Sequence, residues 1–160
     1  MVYDNSSVRR QDRLLPEERA MELLLNAEYG ILSMVSGDGG GYGIPLNFAI
    51  DEDKIYFHCA PEGEKLRNVA ADNRVSFCIV GDTRVIPNKF TTAYESVIVK
   101  GSVTTDLTDE EKMHALELII DKYSARYKVS GMKYAAKSFG RTGILRLDVE
   151  SVSGKSKFYK

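Results

Sequence analysis

The chain has 160 residues, 22 Lys and Arg against 23 Asp and Glu, and a formal net charge of −1. That length fits one domain, 1–160, and can bury roughly two thirds of its unfolded surface without a disulfide or metal staple. The near-neutral balance gives no general pull toward nucleic acid or anionic lipid, and no apolar run approaches membrane-spanning length.

The opening M-V-Y-D-N-S-S-V-R-R-Q-D-R has no apolar signal core, which points to the cytoplasm. A helix is predicted over 16–27, with Pro16 at its first position and Ala20, Leu23, Leu24 and Ala27 on one face. Y-G-I-L-S-M-V (29–35) and G-I-P-L-N-F-A-I (43–50) read as the two strands of a hairpin with a glycine-rich turn. In the second strand Ile44, Leu46, Phe48 and Ile50 share a face, leaving Pro45, Asn47 and Ala49 on the other. A proline cannot donate to a ladder, so Pro45 belongs on an edge or at an irregular spot. Backbone beside it can bond a flat heterocycle, or it can simply end a sheet.

K-I-Y-F-H-C (54–59) is the next strand, with Ile55, Phe57 and Cys59 facing one way and Tyr56 and His58 the other. A helix follows over 62–72, with Pro61 suited to its first position. The first amides of a helix lack internal partners and carry partial positive charge, so this start can hold a phosphate. Lys65 would add its ammonium there, and Asn68 sits three residues on, on a similar face. Glu62 and Glu64 equally satisfy a helix start without a ligand, and His58 equally suits a hydrogen-bonded core position.

R-V-S-F-C-I-V (74–80) and Y-E-S-V-I-V-K-G-S-V (94–103) are strand-like, and 81–93 reads as a loop between them. T-D-E-E from Thr108 is a capping box that starts a long helix, with Met113, Leu116, Ile119, Ile120, Tyr123 and Tyr127 along one side. Gly131 is expected to break it, with a short helix to Ser138 beyond. G-I-L-R-L-D-V (143–149) is the last strand. The sum is a mainly β fold with flanking helices: about six strands joined by turns, an antiparallel barrel rather than a doubly wound sheet. Cys59 and Cys78 lie in apolar strand patterns and read as small buried hydrophobes, with a disulfide between them left open.

Familiar catalytic motifs do not fit. G-D-G-G-G-Y-G (37–43) has neither dinucleotide spacing nor a Walker lysine, and G-K-S (154–156) lacks the upstream glycine of a phosphate loop. His58 and His114 are too far apart in sequence to form a metal motif, so no metal site is expected.

The order of Y-G-I-L-S-M-V, G-Y-G-I-P-L-N-F, I-Y-F-H-C-A-P-E-G-E-K-L-R-N-V, N-R-V-S-F-C-I-V-G and Y-E-S-V-I-V-K-G nevertheless resembles a family. It is similar to the FMN-binding split β-barrels of the pyridoxamine-5'-phosphate-oxidase-like superfamily, and within it to the nitroimidazole-resistance group. V-R-R-Q-D-R (8–13) and S-V-S-G-K (151–155) share the likeness, which covers nearly the whole chain. The resemblance implies a six-stranded antiparallel split barrel and a homodimer with FMN at each of two interface sites. It implies that Pro45, Leu46, Asn47 and Phe48 run along the isoalloxazine edge. His58, Lys65 and Asn68 would lie toward the phosphate or ring rim, with Ser96 and Lys155 near the cofactor. Cys59 stands where that family pattern suggests a small residue such as glycine.

The activity implied is a flavin-dependent oxidoreductase that takes electrons from NAD(P)H and reduces a small electron-poor ring such as a nitroimidazole. His58 is the candidate proton donor, because an imidazole titrates near neutral pH. Two other readings stay open: a non-catalytic protein that stores or senses FMN, and a split barrel that uses deazaflavin or haem, for which His58 is the one strand histidine able to act as axial ligand.

Overall fold

Apolar residues alternate along most of the extended segments, and each such segment forms a strand. The computed structural model describes residues 1–158. The strands are β1 (Gly30–Val35), β2 (Gly41–Leu46), β3 (Ala49–Asp51), β4 (Lys54–Cys59), β5 (Arg74–Ile86), β6 (Thr91–Thr104) and β7 (Gly143–Lys157). The helices are α1 (Glu17–Asn26), α2 (Glu64–Ala71), α3 (Asp109–Ser124) and α4 (Lys128–Ser138). Seven strands, not six, form one sheet in the order β2-β1-β5-β6-β7-β4-β3, with antiparallel pairing throughout.

The extra strand comes from a split. The stretch 43–50 is not one strand, because Asn47 and Phe48 break it into β2 and β3. These are the two edges of the sheet, and no ladder joins them among the described residues. A sheet whose two edges are joined by two residues has to curl, and this one is a split barrel. Pro45 pairs with Ile31 from the edge strand, so its missing N–H costs no ladder bond. The β1–β2 turn is closed by Gly39 donating to Ser36 O and Ser36 donating to Gly40 O, with Gly39 at φ +83°.

Inward-facing side chains fill the barrel: Leu32, Phe57, Phe77, Val97, Val99, Leu147 and Val152 are fully buried. Phe77 takes Phe48 and Phe57 edge-on, at 4.9 and 5.1 Å between ring centroids. A second, smaller cluster of Tyr56, Leu107, Ala115, Leu116, Ala135 and Ile144 lies on the outside, where α3 and α4 cover β4 and the start of β7. Strand β4 is therefore buried on both faces along Ile55–Phe57.

Several boundaries differ from the sequence expectation. Residues 81–93 are not a loop: β5 runs on to Ile86 and β6 starts at Thr91, making a two-stranded ribbon with a bulge between Val80 and Thr83. β7 continues past Val149 to Lys157, shifting register at Lys100/Gly101 of β6. Gly101 has to be glycine, because a Cβ there would run into the carbonyl oxygen of Asp148. Gly131 does not break the long helix; the chain turns at Ala125–Tyr127, and Gly131 lies inside α4, where a Cβ would meet Ile120 at 3.0 Å. Thr108 caps α3 as expected, accepting from Glu111 N at 3.2 Å, a contact worth about 1 kcal/mol. Neither Pro16 nor Pro61 is inside its helix; the first residue before α2 is Gly63, at φ +138°. No described helix is long and apolar enough to cross a membrane.

Candidate functional site

The outer surface of the sheet has a covered part and a bare part. On the bare part the register aligns Pro45, Ile31, Cys78, Ile98 and Ser153 across five strands, and Val80, Ser96 and Lys155 in the next row. At a strand spacing of roughly 4.8 Å the five-strand row spans about 19 Å, enough for a fused three-ring system and its side chain. Ser96 and Lys155 are thus directly paired neighbours. At the β2 edge of this face an open cavity of about 630 Å³ is lined by Glu28, Tyr29, Ile31, Pro45, Leu46 and Asn47.

Phe48 behaves differently from its neighbours. Its side chain is fully buried in the barrel, so only its main chain is left to meet a ligand. That main chain is already bonded: Phe48 N donates to the Tyr123 hydroxyl at 3.0 Å. The same hydroxyl lies 2.7 Å from Glu28 O and 2.9 Å from Phe48 O, and its one proton serves these two carbonyls in turn. Asn47 Nδ2 also donates to Glu28 O, at 2.8 Å. Lys122, beside Tyr123 on α3, holds its ammonium 3.7 Å from the centre of the Phe48 ring. That nitrogen is buried with no hydrogen-bond partner among the described residues, and burial pushes its pKa down to about 8. Together Lys122 and Tyr123 plug the split between β2 and β3. The sequence puts Tyr123 on the apolar side of its helix but gives neither residue this role, because the partner Phe48 lies 75 positions from Tyr123 in the chain.

Helix α2 presents donors. Gly63 precedes it without a side-chain cap, while Leu66 N and Arg67 N both bond Gly63 O at 3.2 Å. The amides of Glu64 and Lys65 have no main-chain partner. Asn68 is 4% exposed and its Nδ2 has no partner among the described residues, which costs roughly 1–3 kcal/mol unless something accepts from it. Lys65 and Asn68 are one turn apart and share a face, as expected. Free amides, an ammonium and an orphaned amide group fit a phosphate. Glu62 and Glu64, both exposed, pull the other way. Burial raises the Cys59 thiol pKa, and the Lys65 charge partly offsets this. Both cysteines are free and half-buried, rather than buried or bridged.

His58 does point away from Phe57, but toward the helices: it lines a cavity under α3 and α4. It makes no hydrogen bond among the described residues. His114 pairs with Asp51 at 2.8 Å on an exposed surface. No group of three or more His, Cys, Asp or Glu side chains among the described residues could hold a metal ion. One chain therefore brings Pro45, Leu46 and Asn47 together, pairs Ser96 with Lys155 on the same face, and joins Lys65 with Asn68 on α2. It does not gather these groups and His58 into one pocket.

The fold recurs in solved structures. A candidate 5-nitroimidazole antibiotic resistance protein from Bacteroides thetaiotaomicron is 22% identical, with 89% of this chain and 85% of that chain covered and a TM-score of 0.71. An FAD and haem binding protein from Mycobacterium smegmatis is 18% identical over 92% of this chain and 74% of that one, with a TM-score of 0.78. An FAD-binding protein from Mesorhizobium loti is 23% identical over 91% and 98% of the two chains, with a TM-score of 0.62. No curated protein matches. The family model described as pyridoxamine 5'-phosphate oxidase matches residues 16–156, nearly the whole of the barrel and its helices. The chain belongs to the pyridoxamine 5'-phosphate oxidase family.

Proposed function

We propose that this protein is an FMN-dependent oxidoreductase that moves electrons from NAD(P)H to a small electron-poor aromatic such as a nitroimidazole. The observation that carries the reading is the donor set on α2: an unpartnered buried amide on Asn68, the Lys65 ammonium and free first-turn amides. Such a set accepts a phosphate better than a neutral group. Pro45, Leu46, Asn47 and the main chain of Phe48 would meet the ring system, and Ser96 and Lys155 would border it. Lys65 and Asn68 would take the phosphate. Bound FMN would supply the hydride and electron chemistry, and the protein would supply position and exclusion of water.

The bare face supports a homodimer. Ile31, Cys78, Ile98 and the 64%-exposed Val80 form an apolar centre with hydroxyl and lysine neighbours, and no helix among the described residues covers it. A second copy would bring its own α2 and His58 toward this face, so that one site draws on both chains. His58 is then the candidate proton donor. Among the described residues it has no competing hydrogen bond, which leaves its ring available to meet a substrate.

The test is reconstitution with FMN and with riboflavin, read by the flavin absorption band. Lys65→Ala should weaken FMN tenfold to a hundredfold, the worth of one charge-assisted contact of roughly 1.5–3 kcal/mol, and leave riboflavin unchanged. Equal loss for both ligands means that Lys65 supports the fold and not a phosphate. A Soret band in place of a flavin band would put haem in the protein instead. Turnover of NADPH with a nitro-aromatic separates an enzyme from a flavin store.

A further inference from the structure

Beneath the elbow between α3 and α4, over the outer face of β4, lies a cavity of about 470 Å³. Leu116, Ile119 and Ile120 of α3 and Ala135 of α4 give it apolar walls, and His58 lies at its sheet side. Its volume is in the range that takes a small organic molecule. Two of its lining hydroxyls belong to residues that are not exposed: Ser138 donates to Tyr134 O at 2.9 Å and Thr142 to Ser138 O at 3.0 Å. A hydroxyl has one proton and two lone pairs. With their protons committed to main-chain carbonyls, these two groups offer acceptors to whatever enters. Ser124, Tyr127, Ser130 and Tyr134 also line the cavity but are exposed. The His58 ring, unpartnered, offers one donor and one acceptor when neutral.

That lining selects a ligand chemistry. Apolar walls favour a flat hydrocarbon-rich body. Among its unexposed lining residues the polar side chains are the two acceptors Ser138 and Thr142, which favour N–H groups on that body over a carboxylate or nitro group. We propose that this cavity is a second small-molecule site, distinct from the flavin site, for a one- or two-ring aromatic amine or N–H heteroaromatic. Its acceptors come from Ser138 and Thr142, and His58 is the single residue it shares with the flavin reading. The two readings differ in location, because none of the cavity's other residues lies on α2 or on the bare face of the sheet.

The test uses the whole chain, isotope-labelled for amide NMR, with and without FMN. Indole is the probe, and benzofuran is its isostere with the N–H replaced by an oxygen. Indole should bind saturably, with shift changes on α3, α4 and β4, and about tenfold more tightly than benzofuran. Thr142→Val and, separately, Ser138→Ala should each remove most of that preference while leaving benzofuran affinity unchanged. If Thr142→Val fails to fold, Ser138→Ala alone decides the matter. Indole binding that persists unchanged in Lys65→Ala, where FMN is weakened, assigns the site independently of the flavin. Equal affinities for the two probes, no saturation at millimolar concentration, or shifts centred on Pro45–Asn47 would each overturn the proposal.

Discussion

Strand β4 with the start of β7, and the neighbouring strands β1, β5 and β6, are parts of one curled sheet, yet their outer faces have opposite fates. Over the first, α3 and α4 bury Tyr56 and Ile144 to 1% and 3% exposure. Over the second, Ile31, Cys78 and Ile98 stay half-buried with no helix above them. The inward faces of both parts are equally apolar, so the barrel core does not explain the difference. The covered face is closed by side chains that hold the helices in place. Tyr56 donates to Glu111 at 3.0 Å, and Arg146 bonds Glu111 and Asp148, each at 2.8 Å. The bare face has serines and lysines instead, which suit a polar ligand or a partner more than a helix of the same chain. An open sheet face with an apolar centre needs a cover to be retained.

The comparison breaks most visibly at Tyr56. Tyr56→Ala removes a fully buried ring and leaves Glu111 with one fewer donor, and should cost about 3–5 kcal/mol in denaturant unfolding. Ile31→Ala, across the sheet, should cost the isolated chain under about 1 kcal/mol. Near-equal losses would mean that the bare face is packed as firmly as the covered one. A second substitution sharpens the contrast. Ile98→Lys places a charge at the centre of the bare face, and light scattering at micromolar concentration should report a change from twice the chain mass to once. A wild-type protein that is already monomeric, yet binds FMN tightly, would remove the interface site.

Much of this division was legible in the sequence, because alternation reports burial. The strand at 54–59 and the Thr108 cap are found where the pattern puts them. The ribbon at 81–93 was not legible: with Val85 66% and Phe90 97% exposed, it buries neither face, so it leaves no alternation to read. Gly131 was misread because glycine serves two purposes. Here it allows α4 to approach Ile120 rather than ending a helix. The site was legible as residue types and not as a place. Lys65 and Asn68 share a helix face as their spacing requires, and Ser96 and Lys155 are paired. Alternation put Phe48 on the apolar face with Ile44, Leu46 and Ile50, and it does turn into the core, but sequence could not show that Lys122 and Tyr123 reach over from α3 to close the split. Those are long-range contacts, and local pattern carries no record of them.

A smaller effect tests the covered face through pH. The Arg146 guanidinium, together with the Tyr56 hydroxyl, holds the Glu111 carboxyl below its ordinary range. A carboxyl whose folded pKa is depressed adds stability above its unfolded value, and this is lost as pH falls through the folded one. Wild type should therefore lose more stability on acidification below about pH 4.3 than Glu111→Gln. Parallel curves for the two would mean that Glu111 is held by packing and not by charge.

The smallest effect belongs to Lys122, at the seam between the two regions. Burial without a carboxylate partner lowers its pKa from the ordinary 10.5 to about 8, while the Phe48 ring face gives back part of the lost solvation. The sign follows from proton counts. Between pH 8 and 10.5 the unfolded chain holds the lysine proton and the folded chain has released it. The unfolded state therefore binds more protons, and stability rises with pH across that window. Tyr56 and Tyr123 act in the opposite direction above pH 10, because burial raises both phenols. The measurement that isolates Lys122 is therefore the difference between wild type and Lys122→Met from pH 7 to 10, in which the tyrosines largely cancel. Lys122→Met should be more stable by about 1 kcal/mol at pH 7, and the gap should narrow as pH approaches 10. A gap that stays constant with pH would assign the gain to methionine packing alone. A less stable mutant would mean that the ammonium has an anionic partner in the assembled protein, such as a ligand or a second chain at the split.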